Sequence, residues 1–235
     1  MLPWLLFQSL TAIELTLSEY LAASIESSDK LETESYWKPE KCHRTVSNGD
    51  HVKFHYTVFL TDGTWIEDSY NTGPMQAYTG AGLMIDGLEK GLFGMCTREK
   101  RLIHIPADLA GKANESLIYN VDLIDAWNSD DEVVVLSAKQ KSTCAQPVGL
   151  GDFVRYQVNI SLPNGQILDR VASAQNFVGR GEMIKGLDKN IVGMCAGDQR
   201  EILVPPHLAF GDEGVKDNNI PGKSTLVFSI KVNER

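Results

Sequence analysis

An internal repeat constrains this 235-residue chain more than any other feature. The first copy carries Asn48-Gly49-Asp50-His51-Val52-Lys53-Phe54-His55-Tyr56, then Thr61-Asp62-Gly63-Thr64, Gly87-Leu88-Glu89-Lys90 and Gly94-Met95-Cys96. The second copy matches it with Leu150-Gly151-Asp152-Phe153-Val154-Arg155-Tyr156, Pro163-Asn164-Gly165-Gln166, Gly186-Leu187-Asp188-Lys189 and Gly193-Met194-Cys195. The offset is 100 at the tyrosines and 99 at the cysteines. Solenoid repeats run to about 20–50 residues, whereas a period near 100 is the size of a small folded domain. The repeat predicts two tandem domains, 33–128 and 131–235, with an N-terminal segment 1–32 before them. The junction Asn128-Ser129-Asp130-Asp131-Glu132 is short and polar.

Each copy repeats one local pattern. Val52–Leu60 and Phe153–Leu162 are rich in β-branched and aromatic residues and read as strands. Asp62-Gly63 and Asn164-Gly165 are hairpin-turn dipeptides that tolerate positive φ. Ile85, Leu88 and Leu92, and again Ile184, Leu187 and Ile191, recur at the spacing of a short amphipathic helix. Arg98–Ile105 and Gln199–Val204 alternate as strands and stop at Pro106 and Pro205. Leu117–Leu123 and Leu226–Val232 close each unit with a last strand. Hairpins with one short helix predict an α+β fold, a mostly antiparallel sheet packed on that helix.

Composition excludes several function classes. Hydrophobic residues make up 43% of the chain, enough for a packed core. The net charge is −9 and no Lys/Arg cluster interrupts it, which argues against binding to nucleic acid phosphates. No phosphate loop, dinucleotide fingerprint, zinc pair or nucleophile elbow occurs, so no cofactor or metal is expected. No apolar run reaches the roughly 18–20 residues of a membrane span. Met1 to Ile13 is mostly apolar, and Leu21-Ala22-Ala23-Ser24 offers small residues for signal cleavage; the alternative is an amphipathic helix through Ile13, Leu17, Tyr20 and Leu21.

The four cysteines fall two per copy, and none forms a C-x-x-C pair. Of the three possible pairings the repeat favours Cys42–Cys96 and Cys144–Cys195, since each copy then closes its own bridge; four buried thiols are the alternative. Bridges imply an oxidising compartment, which favours the signal reading of the N-terminus. Asn114-Glu115-Ser116 and Asn159-Ile160-Ser161 are glycosylation sequons suited to the same compartment, Asn114 in a polar loop and Asn159 in a strand.

Phe54-His55-Tyr56-Thr57 with Asp62-Gly63-Thr64, Leu208-Ala209-Phe210-Gly211, and above all Ile220-Pro221-Gly222-Lys223-Ser224-Thr225-Leu226-Val227-Phe228 carry a family pattern. The chain resembles the FKBP immunophilins, peptidyl-prolyl cis-trans isomerases, in their disulfide-bearing secretory-pathway branch. The resemblance spans roughly 40–127 and 140–235. It implies two FKBP-like domains, each a twisted antiparallel sheet wrapped around one short helix, with an apolar pocket between sheet and helix. It also implies a folding helper of the endoplasmic reticulum lumen or a secreted one. Its partners would be proline-containing polypeptides and, weakly, macrolides of the rapamycin type.

For the second domain the resemblance implies Tyr156, Asp169 and Phe210 as the residues of catalysis, with the Tyr156 hydroxyl near Asp169. Leu168, Met183, Ile184, Leu187, Ile220 and Phe228 would bind substrate, the Ile184 N–H donating to its carbonyl. Leu187 stands where the family often has Trp, Phe210 where it often has Tyr, and Ala174 nearest a missing wall aromatic, so weak activity is expected. The first domain has Ile66-Glu67 in place of Leu168-Asp169, and its floor is Leu88 with Met75, Met84 and Ile85 at the entrance. Pro106 and Leu117 enclose 10 residues where Pro205 and Leu226 enclose 20, and Gly111 replaces Phe210. The first domain is expected to be inactive. A non-catalytic binding module or chaperone on the same fold is the competing reading of the whole chain.

Overall fold

The computed structural model describes residues 29–113, 115–140 and 144–235. Residues 1–28 of the candidate signal segment, and Asn114 of the first sequon, therefore lie outside the described residues. The chain divides into two compact units between Ile124 and Asp125.

The first unit is one antiparallel sheet against one helix. Its elements are β1 (Glu32–Trp37), β2 (His51–Leu60), β3 (Trp65–Asp68), β4 (Met75–Tyr78), α1 (Asp86–Leu92), β5 (Lys100–Ile105) and β6 (Leu117–Trp127). The strand order is β1-β5-β6-β2-β3, with β4 also on β2. Alternation sets the faces: Val52, Phe54 and Val58 of β2 are buried among Leu88 and Leu92 of α1 and Ile103 and Ile105 of β5. Helix and sheet come close because α1 carries glycine where they meet. A Cβ on Gly87 or Gly91 would overlap Ile105 or Ile103.

The second unit repeats the plan with β7 (Val134–Lys139), β8 (Phe153–Ser161), β9 (Ile167–Phe177), α2 (Lys185–Ile191), β10 (Gln199–Val204) and β11 (Leu226–Glu234). Its order is β7-β10-β11-β8-β9. Val154, Tyr156, Val158 and Ile160 face the core, while Phe153, Gln157 and Asn159 face solvent. Here β9 is one continuous strand of 11 residues, where the first unit breaks the same stretch into β3 and β4. Gly73-Pro74 lies at that break, and proline has no N–H for a ladder.

Two strands lay outside the sequence reading. Both β1 and β7 pair only on one side, with β5 and β10, and most of their side chains are exposed. β1 is mostly polar, whereas β7 opens on Val134-Val135-Leu136, an apolar β-branched run that is a legible strand signal.

The bridges are Cys42–Cys96 and Cys144–Cys195, with Cα atoms 5.6 and 6.0 Å apart. Each is backed by a buried acid. Glu99 and Asp198 accept from the amides of Cys96 and Cys195, both at 2.9 Å. Glu99 also receives the Ser35 hydroxyl and is paired with Arg101 at 2.7 Å. Burial alone would raise the Glu99 carboxyl; the Ser35 hydroxyl, the Cys96 amide and Arg101 overcome it and hold it below its ordinary value.

Candidate active site

In the second unit β8 and β11 supply a sheet floor, α2 crosses it, and the segment after β10 folds over the remaining side. Tyr156, Leu187, Ile220 and Phe228 are each at most 4% exposed. Leu168, Met183, Ile184 and Phe210 are partly buried and pack on the same cluster, with Val171, Ala174, Ala209 and Val215. Eight of the nine residues named for this site from sequence thus share one apolar cluster. The ring of Phe210 lies 6.1 Å from that of Phe228, tilted by 37°.

The segment between β10 and β11 is a folded lid. Gly211 N–H donates to Pro206 at 2.8 Å, and Lys223 N–H donates to Gly211 at 3.0 Å. Val215 and Ile220 exchange two backbone bonds of 2.9 Å. Gly214 has φ +67°, and a Cβ there would overlap the Ile220 carbonyl, so the tight return needs glycine. These bonds hold Phe210 and Ile220 on the apolar cluster.

The helix entrance is polar at one point. Ile184 is extended (φ −57°, ψ 147°), and its carbonyl accepts from Leu187 at 3.1 Å and Asp188 at 3.0 Å. Among the described residues its own N–H has no backbone acceptor.

Asp169, the ninth residue, stands apart. The resemblance implies a Tyr156 hydroxyl near Asp169, but the hydroxyl donates to Asn176 Oδ1 at 2.8 Å. The register explains the difference: Tyr156 faces Ala174, whereas Asp169 faces Ile160. Tyr156 precedes the turn glycine Gly165 by nine residues, but Tyr56 precedes Gly63 by seven. Two extra residues on one limb of the hairpin carry the carboxylate about 7 Å along the strand. Asp169 instead accepts from Asn218 of the lid at 2.6 Å. Asn176 and Asn218 were missed because an amide in a strand or loop carries no chemical signature; the unequal spacing was legible.

Burial pushes the Tyr156 phenol up to about 12, and the charge of Asp188 adds to it. At neutral pH Tyr156 is therefore a hydrogen-bond donor and carries no charge. Among the described residues this apolar cluster contains no acid–base pair. A separate groove of about 500 Å³ on the outer face of this sheet is lined by polar groups, among them Gln157, Asn159, Arg170 and Lys231.

The first unit has the same layout with a shorter segment after β5. The tyrosine–carboxylate contact survives there, with the Tyr56 hydroxyl donating to Glu67 Oε1 at 3.3 Å. Gly111 takes the place of Phe210, with space for a Cβ only 3.0 Å from Ile85 Cγ2.

The family model of FKBP-type peptidyl-prolyl cis-trans isomerases matches residues 42–124 and 144–233. The chain belongs to this family. It is 38% identical to human peptidyl-prolyl cis-trans isomerase FKBP9 over 220 residues, covering 88% of this chain and 38% of the relative. Human FKBP10 is 37% identical over 218 residues, covering 87% of this chain and 37% of the relative. The FK506-binding protein 2 of Dictyostelium discoideum is 35% identical over 116 residues, covering 48% of this chain and 86% of the relative. The chain thus spans little more than a third of the two human FKBPs, yet each of its domains has the extent of an FKBP unit. Among the described residues no helix is long and apolar enough to cross a membrane.

Proposed function

We propose that this chain is a peptidyl-prolyl cis-trans isomerase and folding helper of the secretory pathway, its activity residing in the second domain (131–235). The observation that carries the proposal is the lid, which seats Phe210 and Ile220 in one apolar cluster with Tyr156, Leu187 and Phe228. An X-Pro bond resists rotation because amide resonance holds it planar, at a barrier of about 18–20 kcal/mol. Water on the carbonyl stabilises the polar planar form. A cup that removes this water and fits the twisted imide lowers the relative cost of the transition state. The Ile184 N–H is placed to hold the carbonyl of the entering peptide, and Met183 and Leu168 to contact its flanks. The substrates are proline-containing polypeptides. Macrolides of the FK506 and rapamycin type bind weakly, since Leu187 makes a shallow floor.

The first domain (33–128) does not catalyse, because Gly111 stands in place of Phe210 and the segment after β5 is ten residues shorter, which weakens the exclusion of water. The two disulfides support residence in the endoplasmic reticulum lumen or export. Asn159, exposed on the outer face of the second sheet, is the proposed glycan acceptor among the described residues.

A second reading, a non-catalytic binding module, draws on the separation of Tyr156 from Asp169. Proline-isomerisation exchange measured by NMR on the full chain separates the two. The expected result is catalysis by the wild type that falls at least about tenfold in Phe210→Ala, or ~1.4 kcal/mol of transition-state stabilisation. An exchange rate equal to that of the peptide alone would replace the enzyme with the module.

A further inference from the structure

The first domain keeps the shape of the cup and changes its chemistry. Tyr119 is the third residue of β6, as Phe228 is the third of β11, so a phenol replaces the phenyl ring at the back of the cup. The shorter hairpin sets Glu67 opposite Val58, within reach of Tyr56. The rings of Tyr56 and Tyr119 lie 5.7 Å apart at 41°. Tyr56 and Tyr119 are partly buried and Glu67 is exposed, beside a segment between Pro106 and Leu117 of 10 residues against 20 in the second copy. Two partly buried aromatic rings and an exposed carboxylate share one dish.

The charge of this dish has one sign. Glu67 is exposed and has no salt bridge among the described residues, and Asp68 follows it on β3. Burial raises the Tyr119 phenol to about 12 and the Tyr56 phenol above its ordinary value; Glu67 contributes next in both, and no cation contributes to either. Aromatic faces attract cations through the ring quadrupole, and a neighbouring carboxylate adds to that pull. Trp65 and Ile66, 57% and 41% exposed, precede Glu67 and offer apolar surface to a long aliphatic stem.

We propose that Tyr56, Tyr119 and Glu67 form a binding site for the charged head of a lysine or arginine side chain in an extended polypeptide. The site is independent of catalysis in the second domain. It gives the first domain a task of its own, capture of a basic segment of the client.

The test is an NMR titration of the full chain with a proline-free peptide of glycine, serine and three lysines, against the same peptide with norleucine for lysine. The expected result is saturable shifts at Tyr56, Glu67 and Tyr119 with the lysine peptide only, weakening as salt is raised. Affinity should fall about fivefold in Glu67→Gln, the scale of one exposed ion pair or cation–π contact. Tyr119→Leu should lower it again; should that variant not fold, Glu67→Gln, at an exposed position, still decides. Equal binding of the norleucine peptide, wild-type affinity in Glu67→Gln, or shifts at other carboxylates with none at the two tyrosines would overturn the site. The peptide carries no proline, so none of these outcomes bears on the isomerase reading.

Discussion

Tyr156 shows how one buried side chain carries both packing and a pH signature. Its phenol is held up to about 12 in the folded chain, by burial first and Asp188 second, against an ordinary value of 10.0. A group whose folded pKa is raised contributes stability that is complete below the unfolded pKa and is lost as pH rises through the folded one. The window is therefore about pH 10 to 12, where the unfolded chain releases the proton and the folded chain keeps it. Tyr119 behaves in the same way in the first domain. Absorbance titration of phenolate should show Tyr119 and Tyr156 ionising last in the folded protein, and the latest step should lose one group in Tyr156→Phe. Ionisation of every tyrosine near pH 10 would mean that the Tyr156 environment is wet. The same substitution leaves Asn176 without its donor, at a cost of about 1 kcal/mol in a denaturant melt.

At the scale of elements, the placement of α2 rests on one missing side chain. A Cβ on Gly186 would lie 2.5 Å from Val204 Cγ1 and 3.2 Å from the Leu208 carbonyl, between the helix, β10 and the start of the lid. Gly186→Ala must push α2 off the sheet, so it should destabilise the second domain by about 1–3 kcal/mol. Because Ile184 and Leu187 ride on that helix, isomerisation should weaken in the folded remainder. Thermal unfolding and the exchange assay check both parts, and an unchanged melting curve would show that the contact relaxes freely. The apolar triplet Ile184, Leu187 and Ile191 was legible in the sequence because a helix face imposes its period on the residues that are buried. The lid was legible as extra length between Pro205 and Leu226. The partner of the Tyr156 hydroxyl was not, because strand register depends on how many residues each hairpin limb holds. That count becomes meaningful only when the two copies are laid side by side. The edge strand β1 was silent because its residues are mostly polar, whereas β7 was legible in Val134-Val135-Leu136.

At the scale of the whole molecule, duplication yields two small cores, and each is stapled by its own bridge. The bridges close loops of 54 and 51 residues, each within one unit. In the chain-entropy account a closed loop of that length restricts the unfolded ensemble by about 4 kcal/mol. A domain near 100 residues has a total stability of about 5–15 kcal/mol, so one bridge is a large fraction of it. Cys144→Ala with Cys195→Ala should therefore destabilise the second domain by about 4 kcal/mol and leave the unfolding of the first where it was. Residue-resolved hydrogen exchange separates the two, because amides of β8 and β11 report one core and those of β2 and β6 the other. Strand amides of the second domain should lose protection while those of the first keep it. A uniform loss across both sheets would mean that the units unfold as one. No loss at all would mean that the bridge constrains nothing the fold does not already fix.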